Sequence, residues 1–376
     1  MMKIGIACYP TYGGSGAVAT ELGVRLAERG HEVHFVSYAH PFRLPRFLKN
    51  TYFHEVEVSR YPLFEYPPYS LASTVAMHAV ATQRGLDIFH AHYAVPHATS
   101  AWLAKQMLDD PDDLKIVTTL HGTDITLVGQ DPSYRSIVKF SIERSDALST
   151  VSEYLKTETL AKFGCAGCDV QVIPNFVDSE VFNRQAYNGQ RDALANPGEK
   201  ILMHISNFRP VKRVLDVVRA SARIMTSLPA RLVFVGDGPD RPKAEEEAHR
   251  LGVDGRVLFL GKQASVAELL ACADLFLLPS ESESFGLSAL EAMASEVPVV
   301  GTRCGGLQEL IDEGITGRLL PVGDVAGMAE AAVEILGDEA KWKAMGQAGR
   351  QIAIERYAPG RIVPLYESLY EQVLNG

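Results

Sequence analysis

The fold is decided by the stretch KIGIACYPTYGGSGAVATELGVRLAERGHEVHFVS, Lys3–Ser37. It begins with a short apolar run, turns at a glycine-rich segment, places Val18, Leu22 and Leu26 at helical spacing, and returns to an apolar run after Gly30. Apolar residues four apart lie on one face of a helix, and glycine commonly ends one. The stretch therefore predicts a strand, a helix and a second strand, which is the repeating unit of a parallel sheet.

The same alternation continues to the end of the chain. Seven strands are predicted in the first half, at Lys3–Cys8, Glu32–Ser37, Phe53–Val58, Asp87–His90, Lys115–Leu120, Ala147–Val151 and Val170–Ile173. Six follow in the second half, at Ile201–Ile205, Arg231–Val235, Arg256–Leu260, Leu275–Leu278, Val297–Gly301 and Arg318–Leu320. Two such series predict an α/β protein with two doubly wound, Rossmann-like domains that face a cleft.

The domain boundary is expected in the segment Ile173–Phe182, because a long polar stretch follows it before the second sheet begins. A chain of 376 residues is also too long for one ordinary core. We therefore predict an N-terminal domain at 1–175 and a C-terminal domain at 176–359. Pro359 and Gly360 interrupt the last helical pattern, so residues 360–376 are expected to pack back on the first domain.

Charge and hydropathy exclude several classes of protein. The formal net charge is −10, which argues against nucleic-acid and anionic-membrane partners because both need a basic surface. No segment is apolar for the ~20 residues of a membrane helix, and the start lacks a secretory signal. A cytoplasmic protein is expected, and any anionic ligand must meet a local cluster of basic residues.

The five cysteines are scattered and odd in number, which is not typical of a disulfide framework. Cys165 and Cys168 have the spacing of half a zinc site, but no second Cys/His pair accompanies them. We expect a loop with two reduced thiols there, with a redox or metal role as the weaker alternative.

The glycine-rich turn satisfies the dinucleotide fingerprint with Gly14, Gly16 and Ala19. Its glycines let an anion approach the N–H groups at a helix start, and Ser15 adds a donor. An NAD enzyme also needs an acid at the end of the second strand, where this chain has Ser37. A pocket for a small anion is favoured over an NAD site, with a tight packing turn as the alternative.

Histidines lie at two neighbouring strand ends, in FHAHYAVPH and TTLHGTD. His92, Tyr93 and His121 are at carboxyl ends, where open α/β sheets bind ligands. A metal site is not expected, because no pair has metal-ligand spacing on a helix face and no acidic cluster is near. We expect His121 to offer a hydrogen bond to a ligand and His90 to be a buried core residue.

The second domain opens with HISNFRPVKRVLDVV, which places Arg209, Lys212 and Arg213 at a strand-to-helix turn. Cations near a helix N-terminus are disfavoured by the helix dipole, so a bound anion would relieve the conflict. A diphosphate fits this cluster. The alternative is a solvated basic turn.

A second ligand-binding element is the stretch SESFGLSALEAMA, Ser282–Ala294, with a helix predicted to begin near Gly286. Glu291, one turn into the helix, can accept hydrogen bonds from two vicinal hydroxyls such as those of a ribose, and Glu283 can reach another polyol. The alternatives are an acid that favours the helix dipole and a solvated loop acid. Together with the basic turn, the stretch predicts a sugar-nucleotide site.

The spacing of Glu283 and Glu291 resembles the E-x7-E signature of the retaining GT-B glycosyltransferases of family four. SNFRPVKR stands where that family has G-R-L-x-x-x-K-G, with Asn207 in place of the usual arginine, so Arg209 is expected to supply that charge. The stretches HPFRLPR, HAHYAVPHA, TTLHGTDIT and FVGDGP further resemble the family members that glycosylate L-malate in bacillithiol synthesis.

The resemblance implies transfer of N-acetylglucosamine from UDP-N-acetylglucosamine to the hydroxyl of L-malate, with retention and with neither metal nor cofactor. It implies catalytic roles for Lys212, Arg209, His121 and Glu283. It implies donor binding by Glu291, Ser284, Phe285, Gly286, Leu287, Ser206 and Gly14, and acceptor binding by Ser15, Gly16, Tyr93, Thr119 and Asn175. The first domain would then bind the acceptor and the second the nucleotide sugar, in an enzyme expected to form homo-oligomers.

Other functions compete with this interpretation. A glycoside hydrolase also uses two carboxylates, about 5 to 9.5 Å apart across the scissile bond. A sugar-nucleotide sensor would bind without turnover, and a family member with another UDP-sugar or acceptor would share every motif. An NAD-dependent oxidoreductase is the remaining alternative, disfavoured by the missing acid.

Overall fold

The protein is described by a computed structural model that covers residues 1–11, 13–58, 65–164, 168–187 and 191–376. The chain divides into two compact units. Unit 1 comprises Met1–Pro174 and Gly360–Gly376, and unit 2 comprises Asn175–Pro359. Each unit contains one parallel sheet with helices around it, so the predicted pair of doubly wound α/β domains is confirmed.

The sheet of unit 1 has seven strands within the described residues. They are β1 Lys3–Ala7, β2 Glu32–Ser37, β3 Thr51–Glu55, β4 Ile88–His92, β5 Lys115–Leu120, β6 Ala147–Thr150 and β7 Val170–Val172. Their order is β3-β2-β1-β4-β5-β6-β7, and all neighbours are parallel. The chain reverses its direction of winding between β1 and β4, and the carboxyl ends of two such strands flank the ligand crevice of an open α/β sheet.

The helices of the first part of the chain connect these strands. They are α1 Gly14–Glu28, α2 Tyr69–Arg84, α3 Thr99–Gln106, α4 Thr123–Thr126, α5 Pro132–Glu143 and α6 Glu153–Phe163. The strand predicted at Phe53–Val58 is displaced to Thr51–Glu55, because its pairing with β2 runs from Val33 to Ser37 and ends there.

The sheet of unit 2 has six strands and repeats the winding of unit 1. They are β8 Lys200–Ile205, β9 Ala230–Val235, β10 Val257–Phe259, β11 Leu275–Leu278, β12 Val299–Thr302 and β13 Gly317–Leu320. The order β10-β9-β8-β11-β12-β13 is that of a dinucleotide-binding fold, with the reversal between β8 and β11. The loops that follow β8 and β11 are therefore adjacent.

The remaining helices lie in the second half of the chain. They are α7 Val214–Ser227, α8 Arg241–Arg250, α9 Ala267–Cys272, α10 Leu287–Ala294, α11 Leu307–Leu310, α12 Val325–Gly337, α13 Glu339–Tyr357 and α14 Pro359–Asn375. None of the helices in the described ranges is long and apolar enough to cross a bilayer.

Alternating residues of the strands fill two core layers in unit 1. Ile6 and Phe35 face α1, where a side chain at Gly23 would collide with both. Ala7 and Val36, one position further along, belong to a cluster with buried residues of α2 and α3. This period of two is expected of a sheet that is covered on both faces.

The last helix, α14, contributes to unit 1 although it follows unit 2 in the chain. Glu367 lies 2.7 Å from Arg29 and 2.9 Å from His31 at the end of α1. Tyr370 is fully buried, and its hydroxyl lies 2.7 Å from Nδ1 of His90 on β4. Helix α14 is therefore held to unit 1 by polar contacts at two places, the end of α1 and strand β4.

The cysteines differ in part from expectation. Cys8, Cys272 and Cys304 are buried and free. Cys168 is disulfide-bonded, so the expectation of a reduced thiol is wrong at that position. Cys165 lies outside the described residues.

Candidate active site

The loops after β8 and β11 are joined by an ion pair at the winding reversal of unit 2. Lys212 Nζ lies 2.6 Å from Glu283 Oε1, and the Ser280 hydroxyl donates to the same oxygen at 2.7 Å. A backbone bond from Glu281 N–H to the Val211 carbonyl, 2.8 Å, holds the loops together. The side chains of Lys212 and Glu283 are 21% and 10% exposed. The pair is thus positioned by the fold, and the ammonium keeps a face open to a ligand.

Two of the three basic residues at this turn already have a carboxylate partner. Lys212 is balanced by Glu283, and Arg213 lies 2.6 Å from Asp216 in the first turn of α7. Arg209 is exposed and forms no ion pair within the described residues. Arg209 therefore has no carboxylate partner among the described residues. Lys212 would interact with both Glu283 and a bound anion.

A buried histidine, which the sequence analysis missed, shapes the loop after β8. His204 Nδ1 donates to the Leu277 carbonyl at 2.8 Å, so its Nε2 accepts from the Ser206 hydroxyl at 2.8 Å. Ser206 Oγ in turn accepts the Phe208 N–H at 3.2 Å. Burial lowers the pKa of His204 to about 4 and keeps the ring neutral. Ser206, predicted to bind the donor, is thus used to fix the loop that carries Lys212.

The loop after β9 approaches this turn so closely that it needs glycine. Gly236 has φ +115°, and a Cβ there would lie 1.9 Å from the Ser206 carbonyl oxygen. At Gly238 a Cβ would lie 2.0 Å from the Asn207 carbonyl oxygen. The FVGDGP stretch therefore packs directly against the basic turn.

Helix α10 begins beside the ion pair. Gly286 caps it with φ 97°, and the first amides of any helix lack intrahelical acceptors. Glu291 is 4% exposed, one turn into the helix, so its carboxylate is buried rather than solvated. Phe285 packs edge-on against Tyr357, with ring centroids 5.6 Å apart. Ser284 and Leu287 are half-buried on either side. The predicted donor-binding segment is thus in one place with Lys212 and Glu283.

The reversal in unit 1 is lined by histidines. His92 Nδ1 lies 2.9 Å from His121 Nε2, and the two rings stack with centroids 5.1 Å apart. His97 Nδ1 lies 2.6 Å from the His92 carbonyl oxygen. Burial lowers the pKa of His92 well below its usual range, that of His97 to about 4 and that of His121 to about 3. These rings are neutral at physiological pH.

A buried carboxylate, also missed from the sequence, holds the loops that carry these rings. Asp124 Oδ1 accepts the N–H groups of His121 and Gly122 at 3.3 and 2.9 Å. Its Oδ2 accepts the Ala94 N–H at 3.2 Å. Burial raises the pKa of Asp124 to about 6 despite these donors.

The predicted acceptor-side residues fall into an accessible group and a buried group. Tyr93 has the unusual φ of 89° and contacts Tyr9 and His121, with centroids 5.5 and 5.2 Å away. Strained backbone of this kind clusters at functional sites. In the glycine turn Gly14 is exposed and Ser15 half-buried at the start of α1.

Gly16 is buried, and a Cβ there would lie 2.5 Å from the Tyr9 carbonyl oxygen, so the turn needs glycine at that position. Thr119 has no exposed surface, and its hydroxyl lies 2.7 Å from both His90 Nε2 and Ser149 Oγ. It therefore supports His90, the predicted core histidine, and does not line an open site in this structure. Asn175 belongs to unit 2 and is 6% exposed; its Oδ1 has no partner within the described part of the chain.

No group of three or more His, Cys, Asp or Glu side chains in the described ranges is placed to hold a metal ion. The histidine cluster of unit 1 is instead joined by ring-to-ring and ring-to-backbone hydrogen bonds.

Comparisons with known proteins agree with this geometry. A family model described as Glycosyltransferase Family 4 matches residues 12–181, and one described as Glycosyl transferases group 1 matches residues 199–338. The chain is 51% identical over 376 residues to the N-acetyl-alpha-D-glucosaminyl L-malate synthase of Bacillus anthracis, covering 99% of this chain and 97% of that protein.

Two solved structures superimpose along the whole chain. Sucrose-phosphate synthase from Thermosynechococcus elongatus has a TM-score of 0.83 at 21% identity and covers 100% of both chains. HepE from Anabaena, solved in complex with UDP and glucose, has a TM-score of 0.79 at 20% identity and covers 98% of this chain and 99% of its own. At these identities the likeness establishes the fold, which is GT-B.

Proposed function

The chain belongs to glycosyltransferase family 4, and from this premise we propose that it transfers N-acetylglucosamine from UDP-N-acetylglucosamine to the hydroxyl of L-malate with retention. The name of the Bacillus anthracis relative supports the choice of both substrates. The complex of Anabaena HepE with UDP and glucose supports a uridine nucleotide in the donor site. Because the chain belongs to a glycosyltransferase family, the NAD-dependent oxidoreductase alternative is not favoured.

The observation that carries the proposal is the ion pair of Lys212 and Glu283 beside the start of α10. A diphosphate at this place meets the Lys212 ammonium, the exposed Arg209 and the free amides of a helix N-terminus. Glu291, which is buried on the same helix, would accept hydrogen bonds from a ribose. The described residues thus supply groups for the diphosphate and for the ribose of a uridine diphosphate.

The chemistry follows from where charge develops. As the bond between sugar C1 and the phosphate oxygen breaks, negative charge grows on the departing diphosphate. Donors already in place lower that barrier, because they need no reorganisation in the transition state. Glu283 holds the Lys212 ammonium at 2.6 Å before the substrate binds. We propose that the ammonium also donates a hydrogen bond to the phosphate, and that this bond strengthens as the reaction proceeds.

The acceptor side of the proposal needs no protein base. We propose that the leaving phosphate oxygen takes the proton of the malate hydroxyl on the same face of the sugar, while the malate oxygen bonds to C1. His121 would contact the donor sugar, and the turn at Gly14, Ser15 and Gly16 would hold the malate. The neutrality of the histidines supports hydrogen bonding over proton transfer at that site.

Incubation with UDP-N-acetylglucosamine and a panel of hydroxy acids, followed by mass spectrometry, tests the proposal. We expect UDP and one N-acetylglucosaminyl malate, with the α anomer seen by NMR and no loss of rate in EDTA. Free N-acetylglucosamine as the main product would indicate a hydrolase. Binding of the nucleotide sugar without any product would indicate a sensor.

Self-association and a cytoplasmic location stay predictions of the resemblance. Light scattering of the purified chain tests the first, and fractionation of cells tests the second.

A further inference from the structure

The pair of histidines in unit 1 poses a question of hydrogen placement. His92 Nδ1 and His121 Nε2 are 2.9 Å apart, and both rings are neutral because burial lowers their pKa values. A bond between two neutral rings needs one nitrogen with a hydrogen and one without. Either His92 donates to His121 or the reverse.

The surroundings of His92 decide between the two arrangements. His92 has no exposed surface, and its Nε2 is buried without a partner in the described ranges. If His121 were the donor, His92 would carry its hydrogen on Nε2 and bury an unpaired N–H. Orphaned buried N–H groups are rare and costly, whereas a bare ring nitrogen leaves only a lone pair unused.

His97 shows the same pattern where the assignment is unambiguous. Its Nδ1 lies 2.6 Å from the His92 carbonyl oxygen, which can only accept, so Nδ1 carries the hydrogen. Its Nε2 is then bare, and this nitrogen is also buried without a partner among the described residues. The interior around this cluster therefore already tolerates a bare Nε2.

We infer that His92 is a positioning residue that donates its Nδ1–H to His121 Nε2 and so keeps the hydrogen of His121 on Nδ1. His121 is half-buried, and its Nδ1 has no hydrogen-bond partner in the part of the chain that the structure describes. That nitrogen is left to face a ligand, and the tautomer makes it a donor. It suits a hydroxyl oxygen of the donor sugar, a role that rests on the proposed function.

The packing around His92 holds the donor in place. The bond from His97 fixes the His92 backbone, and the ring of His90 lies against that of His92 with centroids 4.3 Å apart. His90 is itself held at both nitrogens, by Tyr370 and Thr119. The buried row of rings thus ends at His121 Nδ1, and the hydrogen bond from His92 determines whether that nitrogen carries a hydrogen.

The test is 15N NMR of the full chain labelled with 15N-histidine. The signals of His121 are assigned as those that disappear in the His121→Asn variant. Protonated and bare ring nitrogens resonate far apart. We expect a protonated Nδ1 and a bare Nε2 for His121 in the wild type. His92→Asn, whose amide N–H can replace Nδ1–H, should preserve that pattern, whereas His92→Leu should shift it toward the form protonated on Nε2.

Kinetics give the second readout. We expect His92→Leu to lower kcat about 10-fold, the effect of one lost hydrogen bond, and His92→Asn to recover most of it. His34→Leu is the matched control, because His34 is equally buried and its Nδ1 lies 2.9 Å from His54 Nε2 at the far edge of the same sheet. That variant should keep its kcat.

The outcomes separate the inference from the proposed function. A wild-type His121 protonated on Nε2 would overturn the inference even if malate is glycosylated. Equal loss of kcat in His92→Asn and His92→Leu, with the tautomer unchanged, would also overturn it, since His92 would then be a packing residue only. Failure of the wild type to use malate would overturn the proposed function and leave the NMR result standing.

Discussion

The two sheets place opposite kinds of chemistry at the same topological position. At the reversal of unit 2 lies a charged pair, Lys212 and Glu283, with the ammonium partly open. At the reversal of unit 1 lie neutral imidazoles, led by His92 and His121, with Asp124 behind them. The same winding pattern thus places a charged pair in one unit and uncharged rings in the other.

Burial explains the difference. Three histidines near the reversal of unit 1, His90, His92 and His97, have no exposed surface, and a charge on any of them would lack a carboxylate partner at hydrogen-bond distance among the described residues. In unit 2 the charge of Lys212 is met by a carboxylate that also receives the Ser280 hydroxyl. A buried charge is stable only when it is compensated in this way.

The largest expected effect is that of Lys212→Ala. We predict a fall in kcat of about 100- to 1000-fold, the usual loss when one donor to the developing charge is removed. The donor KM should change little, because the contact strengthens mainly in the transition state. Lys343→Ala is the matched control, since Lys343 also lies 2.6 Å from a glutamate, Glu339, but on the surface of α13. An unchanged kcat in Lys212→Ala would remove Lys212 from the mechanism.

The second effect is a selective loss of stability of unit 1 in mild acid. The folded pKa values of His90 and His97 are lowered to about 3 and 4, so the unfolded chain binds protons first as the pH falls below about 6.5. Between pH 7 and pH 5, each of these two histidines lowers the free energy of unfolding by about 2 kcal/mol. His92, His121 and His54, whose pKa values are also lowered, add to the loss. Asp124, whose pKa is raised to about 6, has the opposite sign and returns about 1 kcal/mol.

Unit 2 has one fully buried histidine of lowered pKa among its described residues, His204, so it should lose only about 2 kcal/mol over the same range. The two tryptophans make the comparison measurable, because Trp102 lies in unit 1 and Trp342 in unit 2. In the Trp342→Phe variant the remaining tryptophan, Trp102, reports the denaturation of unit 1. In the Trp102→Phe variant the remaining Trp342 reports the denaturation of unit 2. Equal losses in the two variants would contradict the account.

The smallest of the three effects concerns Glu291. We expect Glu291→Gln to weaken UDP binding about 10-fold, because an amide makes weaker hydrogen bonds to ribose hydroxyls than a carboxylate. Malate binding should be unaffected. Glu330→Gln, at an exposed position of α12, is the control, and calorimetry with UDP measures the affinity of both variants. An unaltered UDP affinity in Glu291→Gln would show that the ribose lies elsewhere.

Local pattern was enough to predict the elements of the fold. The alternation of apolar runs predicted all the strands of both sheets to within a few residues, and Gly30 and Gly286 were correctly placed at a helix end and a helix start. These features depend on residues close in sequence. The edge strand β3 was displaced because its limits depend on pairing with β2.

The connections within the candidate site could not be predicted in the same way. Lys212 and Glu283 are 71 residues apart, and His90 and Tyr370 are 280 apart, so their contacts exist only after the sheets have formed. His204 and Asp124 gave no local signal beyond a position in or beside a buried strand. Motif spacing selected the residues that are proposed to face a ligand, but not the buried residues that orient them.

The central claim is that unit 2 binds uridine diphosphate with Lys212 at the diphosphate and Glu291 at the ribose. A crystal structure with bound UDP tests it most directly. We predict phosphate oxygens within hydrogen-bond distance of Lys212 Nζ and the first amides of α10, and both ribose hydroxyls on the Glu291 carboxylate. A uridine bound in another place, or Glu291 turned into solvent in the complex, would contradict the account.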